Sequence, residues 1–106
     1  MAAQYFGSTT SNGPLPNTVP KPGGDRIVTI EVAIDNNATG SPTATCQLQG
    51  SLSQANWNPI GTTIVLNGSG ASGFFTTPTI LDYEYYQVVV SAIGGTGTTV
   101  MGWMGA

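Results

Sequence analysis

The amino-acid sequence predicts an all-β protein, an antiparallel β-sandwich of the jelly-roll or immunoglobulin-like type with an extended N-terminal arm. Three observations favour this class. The chain of 106 residues has only two basic and five acidic residues, so the charged side chains typical of exposed helix faces are scarce. Its 15 glycines and 7 prolines are frequent enough to supply many turns. Between these turns, short segments alternate apolar and polar residues with the period of two that β-strands have.

The first 26 residues predict an arm rather than a part of the sandwich. Glycine and proline recur from Gly7 to Gly24 and exclude a long helix or a central strand there. We therefore divide the chain into an extended arm over residues 1–26 and a β-sandwich domain over residues 27–106. Such an arm needs a surface to lie on, either its own sandwich or a neighbouring chain. The candidate anchors in that contact are the apolar residues Tyr5, Phe6, Leu15 and Val19.

From residue 27 onward, six segments separated by turn residues predict strands. They cover residues 27–35, 44–50, 60–66, 74–77, 83–95 and 98–104. Alternate residues of a strand point to the same face, so the apolar positions of each segment define a core. The residues that we expect to be buried are Val28, Ile30, Val32, Cys46, Leu48, Ile64, Val88 and Val90.

The segment over residues 83–95 is rich in aromatic and β-branched residues, and this composition is typical of a central strand. The face that we assign to the core carries Tyr86, Val88 and Val90. The opposite face carries Tyr85, Gln87 and Val89. An apolar Val89 among polar residues indicates that a neighbour covers this second face. Tyr85 and Val89 are therefore candidate interface residues.

The distribution of charge argues against two classes of partner. Lys21 and Arg26 are the only basic residues, and both precede the first predicted strand of the sandwich. Nucleic acids and anionic membrane surfaces are bound through clusters of Lys and Arg, so we expect neither as a partner. Only 7% of the residues are charged, and a surface with few charges is buried against another subunit at little desolvation cost.

Neither a membrane span nor a signal peptide is indicated. No segment reaches the roughly 20 apolar residues of a membrane-spanning helix. The N-terminal residues lack the basic and apolar regions of a signal peptide. We therefore expect a protein that is made in the cytosol and is not secreted by the usual route.

The sequence offers no convincing catalytic or metal-binding set, so we predict a non-enzymatic protein without cofactor or metal. There is no histidine, and Cys46 consequently lacks the usual base. The best carboxylate pair is Asp82 and Glu84, about 7 Å apart on one strand face, but nothing indicates the cleft that glycosidase chemistry needs. Calcium binding by residues 35–37, or by Asp82 and Glu84, is chemically possible, although the spacing matches no loop motif.

The two tryptophans leave alternatives open. Trp57 stands on a loop that enters a strand. We expect its indole to fold back and plug one end of the sandwich, and the alternative is an exposed platform for a sugar ring. Trp103 is either a core residue of the last strand or an interface anchor, since tryptophan is enriched at the energetic centres of interfaces.

Two stretches of the chain resemble a known class of proteins. Residues 48–57, Leu-Gln-Gly-Ser-Leu-Ser-Gln-Ala-Asn-Trp, are similar to a strand, Gly-Ser, polar loop and Asn-Trp segment of small β-sandwich structural proteins of tailed-phage virions. Residues 83–96 resemble the strand and Gly-Gly-Thr turn that follow there. Gln87 stands where arginine is usual, and Tyr86 stands where valine is usual. The resemblance covers residues 45–99.

The resemblance implies a structural role in a virion, and the chain looks most like capsid decoration (cement) proteins. The partners it implies are the major capsid protein and further copies of the chain, as a trimer rather than a dimer. It implies a place on the outer capsid surface, where contacts between capsomers are stabilised after synthesis in the host cytoplasm. The alternatives are a tail, neck or fibre component, and a carbohydrate-binding module, which would need coplanar exposed aromatic rings. The candidate interface residues are Tyr5, Phe6, Leu15, Val19, Tyr85, Val89 and Trp103.

Overall fold

The computed structural model describes residues 4–20, 29–76 and 83–105, and within these ranges the protein is all-β. Two antiparallel sheets pack together around one hydrophobic core, an arrangement compatible with a β-sandwich. The strands in chain order are β1 (Gln4–Thr9), β2 (Gly13–Pro14), β3 (Val19–Pro20), β4 (Thr29–Ile34), β5 (Thr39–Ser51), β6 (Asn58–Asn67), β7 (Ser72–Thr76), β8 (Tyr85–Thr96) and β9 (Val100–Met104).

The first sheet, here called sheet A, has the strand order β1-β9-β4-β7. The second sheet, sheet B, has the order β2-β8-β5-β6, and β3 also pairs with β8. All pairings are antiparallel. Strands β8 and β5 lie inside sheet B, so the prediction of a central strand near residues 83–95 is confirmed.

The period-two pattern of the sequence accounts for the core. In β4, Ile30, Val32 and Ile34 are buried, while Glu31 and Ala33 between them are partly exposed to solvent. In β8, the predicted inward face is buried as well. The buried apolar residues are Phe6, Leu15, Val19, Ile30, Val32, Ile34, Ala38, Ala44, Cys46, Leu48, Leu66, Phe75, Tyr86, Val88, Val90, Val100 and Met104.

Two of the expected core positions are not among the buried residues that the structure describes. Val28 lies outside the described residues. Ile64 is half-buried rather than fully buried, because β6 is the edge strand of sheet B and one flank of its side chain stays open to solvent. The other positions expected in the core are buried in the structure.

In the structure, the described part of the N-terminal segment forms edge strands of the two sheets, so the extended arm is not confirmed. Residues 4–9 form β1 at the edge of sheet A, and residues 13–20 run along β8 at the edge of sheet B. Between β2 and β3, the Leu15 amide donates to the Val88 carbonyl (2.8 Å). Proline and glycine exclude a central strand, but they are tolerated in short edge strands, and this is how residues 13–20 are used.

Strand β5 begins earlier than the sequence pattern indicates, at Thr39 instead of residue 44. The reason is a register shift between Thr39 and Thr43 in its pairing with β8. Gly40 and Ser41 both have left-handed backbone conformations in this shift, with φ of 69° and 57°. Such a bulge breaks the alternation of side chains, so the residues before 44 read as a loop in the sequence.

Candidate binding surface

Four side chains lie in register across the outer face of sheet A and form a row, here called the aromatic row. Tyr5 of β1 lies opposite Trp103 of β9. Trp103 lies opposite Glu31 of β4, and Glu31 lies opposite Phe74 of β7. Neighbouring strands are about 4.8 Å apart, so the row extends roughly 14 Å across the sheet. It consists of three aromatic side chains and one carboxylate.

Strand alternation turns the aromatic row outward. The next residue after Tyr5 is Phe6, which is fully buried, while Tyr5 is 44% exposed. In β7, Phe75 points into the core and Phe74 is 58% exposed. Since adjacent residues of a strand face opposite sides, burial of one aromatic residue forces its neighbour onto the surface.

Tyr5 and Trp103 form a ring pair within the row. Their ring centroids are 5.4 Å apart and their planes make an angle of 31°. This distance lies in the range of favourable aromatic pairs. Trp103 is half-buried in consequence of its neighbours on both sides, whereas Tyr5 at the sheet edge remains exposed. The contact between the two rings orders the side chains at this end of the row, where they form an apolar surface.

Glu31 lies between Trp103 and Phe74 and is half-buried. Its carboxylate makes no hydrogen bond or ion pair with any side chain or backbone group in the described ranges. Lys21 and Arg26, the only cations of the sequence, both lie outside those ranges. Among the strand positions on the outer face of sheet A, Glu31 is the sole charged residue.

The residues next to the aromatic row are small or apolar. Met101 lies opposite Ser8 on one side and Ala33 on the other, and Ala33 lies opposite Ser72. Three of the four are Ser or Ala, which are shorter than the aromatic side chains, and the fourth, Met101, is half-buried. The side chains of the aromatic row are therefore the largest on this part of the outer face of sheet A.

The seven predicted interface residues separate into three groups. Tyr5 and Trp103 come together in the aromatic row. Phe6, Leu15 and Val19 are buried in the core of their own chain, so their side chains are not available on the surface of this structure. Their contact is with the chain's own sheets, one of the two supports considered for this segment. Tyr85 and Val89 lie on the outer face of sheet B.

The neighbour that Val89 was expected to have is supplied by the same chain. Val89 lies opposite Pro14 of β2, and Tyr85 lies opposite Pro20 of β3. Both residues are half-buried. The apolar character of Val89 is thus explained by an intrachain contact across the β2–β8 register.

The glutamine amides on the outer face of sheet B are paired within the chain. Gln87 Nε2 donates to Gln49 Oε1 at 2.7 Å. Gln47 Nε2 donates to the carbonyl oxygens of Leu48 at 2.9 Å and Ile60 at 3.0 Å. Polar groups that are already paired gain little from a partner. The outer face of sheet A is the better candidate for binding.

Glu31 and Phe74 were not identified from the sequence. Glu31 occupies the outward position of an alternating strand, where a charged residue is ordinary. The adjacent pair Phe74-Phe75 was the available signal, because two consecutive phenylalanines in one strand cannot both face the core. Recognising the row itself requires the register between β4, β7 and β9, which the sequence does not display.

The candidate catalytic and metal-binding side chains that lie in the described ranges are buried, hydrogen-bonded in a turn, or exposed without a cluster around them. Cys46 is buried, and desolvation raises the pKa of its thiol to about 11, so it is not a ready nucleophile. The Asp35 carboxylate accepts a hydrogen bond from the Asn37 amide at 2.7 Å and closes a turn. No group of three or more metal-ligating side chains occurs among the described residues. Asp82 lies outside them, and Glu84 is exposed.

Trp57 is half-buried at the entrance to β6, between the two alternatives considered for it. The loop before it is held by Ser51, whose Oγ accepts hydrogen bonds from the amides of Ser53 (3.2 Å) and Gln54 (2.8 Å). The indole is therefore neither a fully buried plug nor a fully exposed platform.

Comparison of the chain with protein-family models, with curated proteins and with solved structures finds no match. No helix in the described ranges is long and apolar enough to span a membrane.

Proposed function

We propose that this chain is a non-enzymatic structural protein of a tailed-phage virion, and that it acts as a capsid decoration protein. In this proposal it binds the major capsid protein on the outer capsid surface and stabilises the contacts between capsomers. The observation that carries the proposal is the aromatic row on the outer face of sheet A, which has no covering element within the described part of the chain.

An exposed aromatic row is the kind of surface that protein partners use. Tryptophan and tyrosine dominate the binding energy of many interfaces. Contiguous apolar patches on a soluble domain mark sites of association. The near absence of charge around Glu31 adds to this, since a partner can cover the face without removing many ions from water. The resemblance of residues 48–57 and 83–96 to virion proteins supplies the class of partner.

The attachment surface in this proposal differs from the N-terminal arm expected from the sequence, because residues 4–20 are engaged in the chain's own sheets. A trimer of a jelly-roll or immunoglobulin-like sandwich remains the assembly that the resemblance implies. Native mass spectrometry of the purified protein measures the number of copies directly, and a monomeric mass would contradict the trimer.

The test is binding to purified particles that lack the protein. Trp103→Ala removes the largest side chain of the row, and Val65→Ala on sheet B removes an exposed apolar side chain (60% exposed) outside the row as the control. We expect that co-sedimentation with particles is lost in the first variant and kept in the second. Equal binding of both variants would show that the row is not the attachment surface.

Copy number separates the decoration role from the alternatives within the same virion. A decoration protein is present in amounts close to those of the major capsid protein, as measured by quantitative proteomics of purified particles. A few copies per particle, imaged at one vertex, would instead identify a neck, tail or fibre component.

A carbohydrate-binding module is the second candidate, because three aromatic residues and one carboxylate lie on one shallow face. Sugar rings stack on exposed aromatic faces. The 31° angle between the rings of Tyr5 and Trp103 departs from the coplanar platform that such a module needs. Binding of wild type, but not of Trp103→Ala, to a glycan array would establish this candidate in place of the first.

A further inference from the structure

From the setting of Glu31, we infer that the partner that covers the aromatic row inserts a cationic side chain, an arginine or a lysine, beside this carboxylate. The inference rests on the proposed function, since it names the chemistry of the protein surface that sheet A binds. It assigns Glu31 as the residue that determines which partner surface is accepted.

The geometry around Glu31 suits a guanidinium or ammonium group. Trp103 lies beside it on β9 and Phe74 lies beside it on β7, each one strand away. A cation that reaches the carboxylate is therefore placed next to two aromatic ring systems. Arginine pairs with both oxygens of a carboxylate and also stacks on aromatic faces, and lysine makes the weaker version of both contacts.

Charge balance also favours a cation at this position. The Glu31 carboxylate has no partner of opposite charge among the described residues. A neutral apolar surface that covered Trp103 and Phe74 would also cover Glu31 and leave an unpaired buried charge, which is strongly unfavourable. A partner that compensates this carboxylate therefore keeps more of the gain from burying the aromatic rings.

The same argument disfavours a second copy of this chain as the occupant. Two copies that met face to face through sheet A would be related by a two-fold axis. Where the two-fold axis passes near Glu31, such packing brings the two carboxylates close together, and like charges in an interface oppose binding. A different protein with a basic residue within an apolar surface satisfies both the rings and the charge.

The test uses a library of short random peptides, selected on the immobilised full-length protein. Glu31→Gln removes the charge and keeps the shape of the side chain. Glu84→Gln removes the same charge from an exposed position outside the strands and is the matched control. We expect that peptides selected on wild type and on Glu84→Gln are enriched in arginine or lysine beside apolar residues, and that Glu31→Gln does not give this enrichment.

Affinity measurements on one selected peptide make the test quantitative. Loss of a charge-assisted hydrogen-bonded pair weakens binding by about tenfold to a hundredfold, so we expect that change for Glu31→Gln. The affinity of wild type should fall with added salt, while that of Glu31→Gln should stay nearly constant. Phe74→Ala keeps the Glu31 charge but removes one of the two aromatic rings beside it, and we expect this variant to bind the peptide several-fold less tightly.

Several results would overturn the inference. They are selected peptides without cationic enrichment, selection of no peptide at all, equal affinity of Glu31→Gln and wild type, and binding of neutral glycans through Trp103. Particle binding separates this inference from the proposed function. If Trp103→Ala loses particles while Glu31→Gln keeps them, the proposed function stands and the cation is refuted. If both variants keep particles, the proposed attachment surface is refuted, whatever the peptides show.

Discussion

Leu15 occupies the space that a side chain at Gly102 would need. A methyl group built on Gly102 would lie 3.0 Å from Leu15 Cδ1. Gly102 faces the core from β9, and Leu15 enters the core from the segment that joins β2 to β3. The glycine of a central strand of sheet A thus makes room for the N-terminal segment, so the two parts of the chain fit each other.

We predict that Gly102→Ala destabilises the protein. The added methyl group forces Leu15 or its neighbours to shift, and overpacking of a core costs about 1–3 kcal/mol. Gly105→Ala is the matched control, because a methyl group there makes only an ordinary contact of 3.5 Å with the Thr29 carbonyl oxygen. Urea unfolding should show a lower free energy for the first variant and an unchanged value for the second. Equal stability of the two would mean that Leu15 moves aside without measurable cost, and the predicted overpacking would be refuted.

Phe6→Ala tests whether the N-terminal residues belong to the folded unit. Phe6 is fully buried, so its truncation should lower the free energy of unfolding by about 3–5 kcal/mol. Tyr5→Ala changes the adjacent aromatic residue, which points outward, and should cost much less. Both variants are compared by chemical denaturation followed by tryptophan fluorescence. An unchanged stability of Phe6→Ala would restore the interpretation of residues 1–26 as an independent arm.

The ring pair of Tyr5 and Trp103 should appear as a coupling energy. In a double-mutant cycle with alanine at each position, we expect the two residues to couple by about 0.5–1.5 kcal/mol, the range for neighbouring aromatic rings. The readout is the free energy of unfolding of the four proteins. A coupling of zero would mean that the two rings do not contact each other in solution, and this end of the row would then not be ordered by their contact.

Cys46 should make the stability depend on pH in alkaline solution. Burial raises the pKa of its thiol from 9.0 to about 11. Above pH 9 the unfolded chain loses this proton while the folded chain keeps it, so stability is complete below pH 9 and falls as the pH rises toward 11. The loss approaches about 1.4 kcal/mol per pH unit from this group alone.

Comparison with Cys46→Ala isolates this effect, since the tyrosines titrate in both proteins. Denaturation midpoints are measured under reducing conditions on both sides of pH 9. When the pH is raised from below 9 to above 9, the wild type should lose more stability than the variant. This holds whichever of the two proteins is more stable at neutral pH. Parallel pH profiles would contradict the burial of the thiol, and so would rapid reaction of the native thiol with an alkylating reagent near neutral pH.

Much of the fold is predictable because burial follows a simple period. In β4, Ile30 and Val32 alternate with more polar residues, and each falls on the predicted side. The N-terminal strands were missed for a physical reason. Pro14 and Pro20 exclude the interior of a sheet but not its edge, and whether an edge is open depends on the rest of the fold.

The candidate site was less accessible to sequence reasoning than the core. Trp103 and Tyr5 could be proposed as surface anchors from residue type alone. Their approach to Glu31 and Phe74 depends on four strands, from residues 5 to 103, lying side by side in one register. Such pairing is set by the packing of the whole domain, and no local pattern encodes it.

The pairing of β1 with β9 has a consequence for the order of events during synthesis. Gln4 lies opposite Met104, so β1 cannot pair until β9, the last of the described strands, has been synthesised. Contacts between such distant residues give a high contact order, which slows folding. Until β9 emerges, β1 has no strand to pair with in sheet A, and Phe6 remains open to chaperones or to other nascent chains. Pairing of β1 with β9 is therefore a late step in the folding of the described strands.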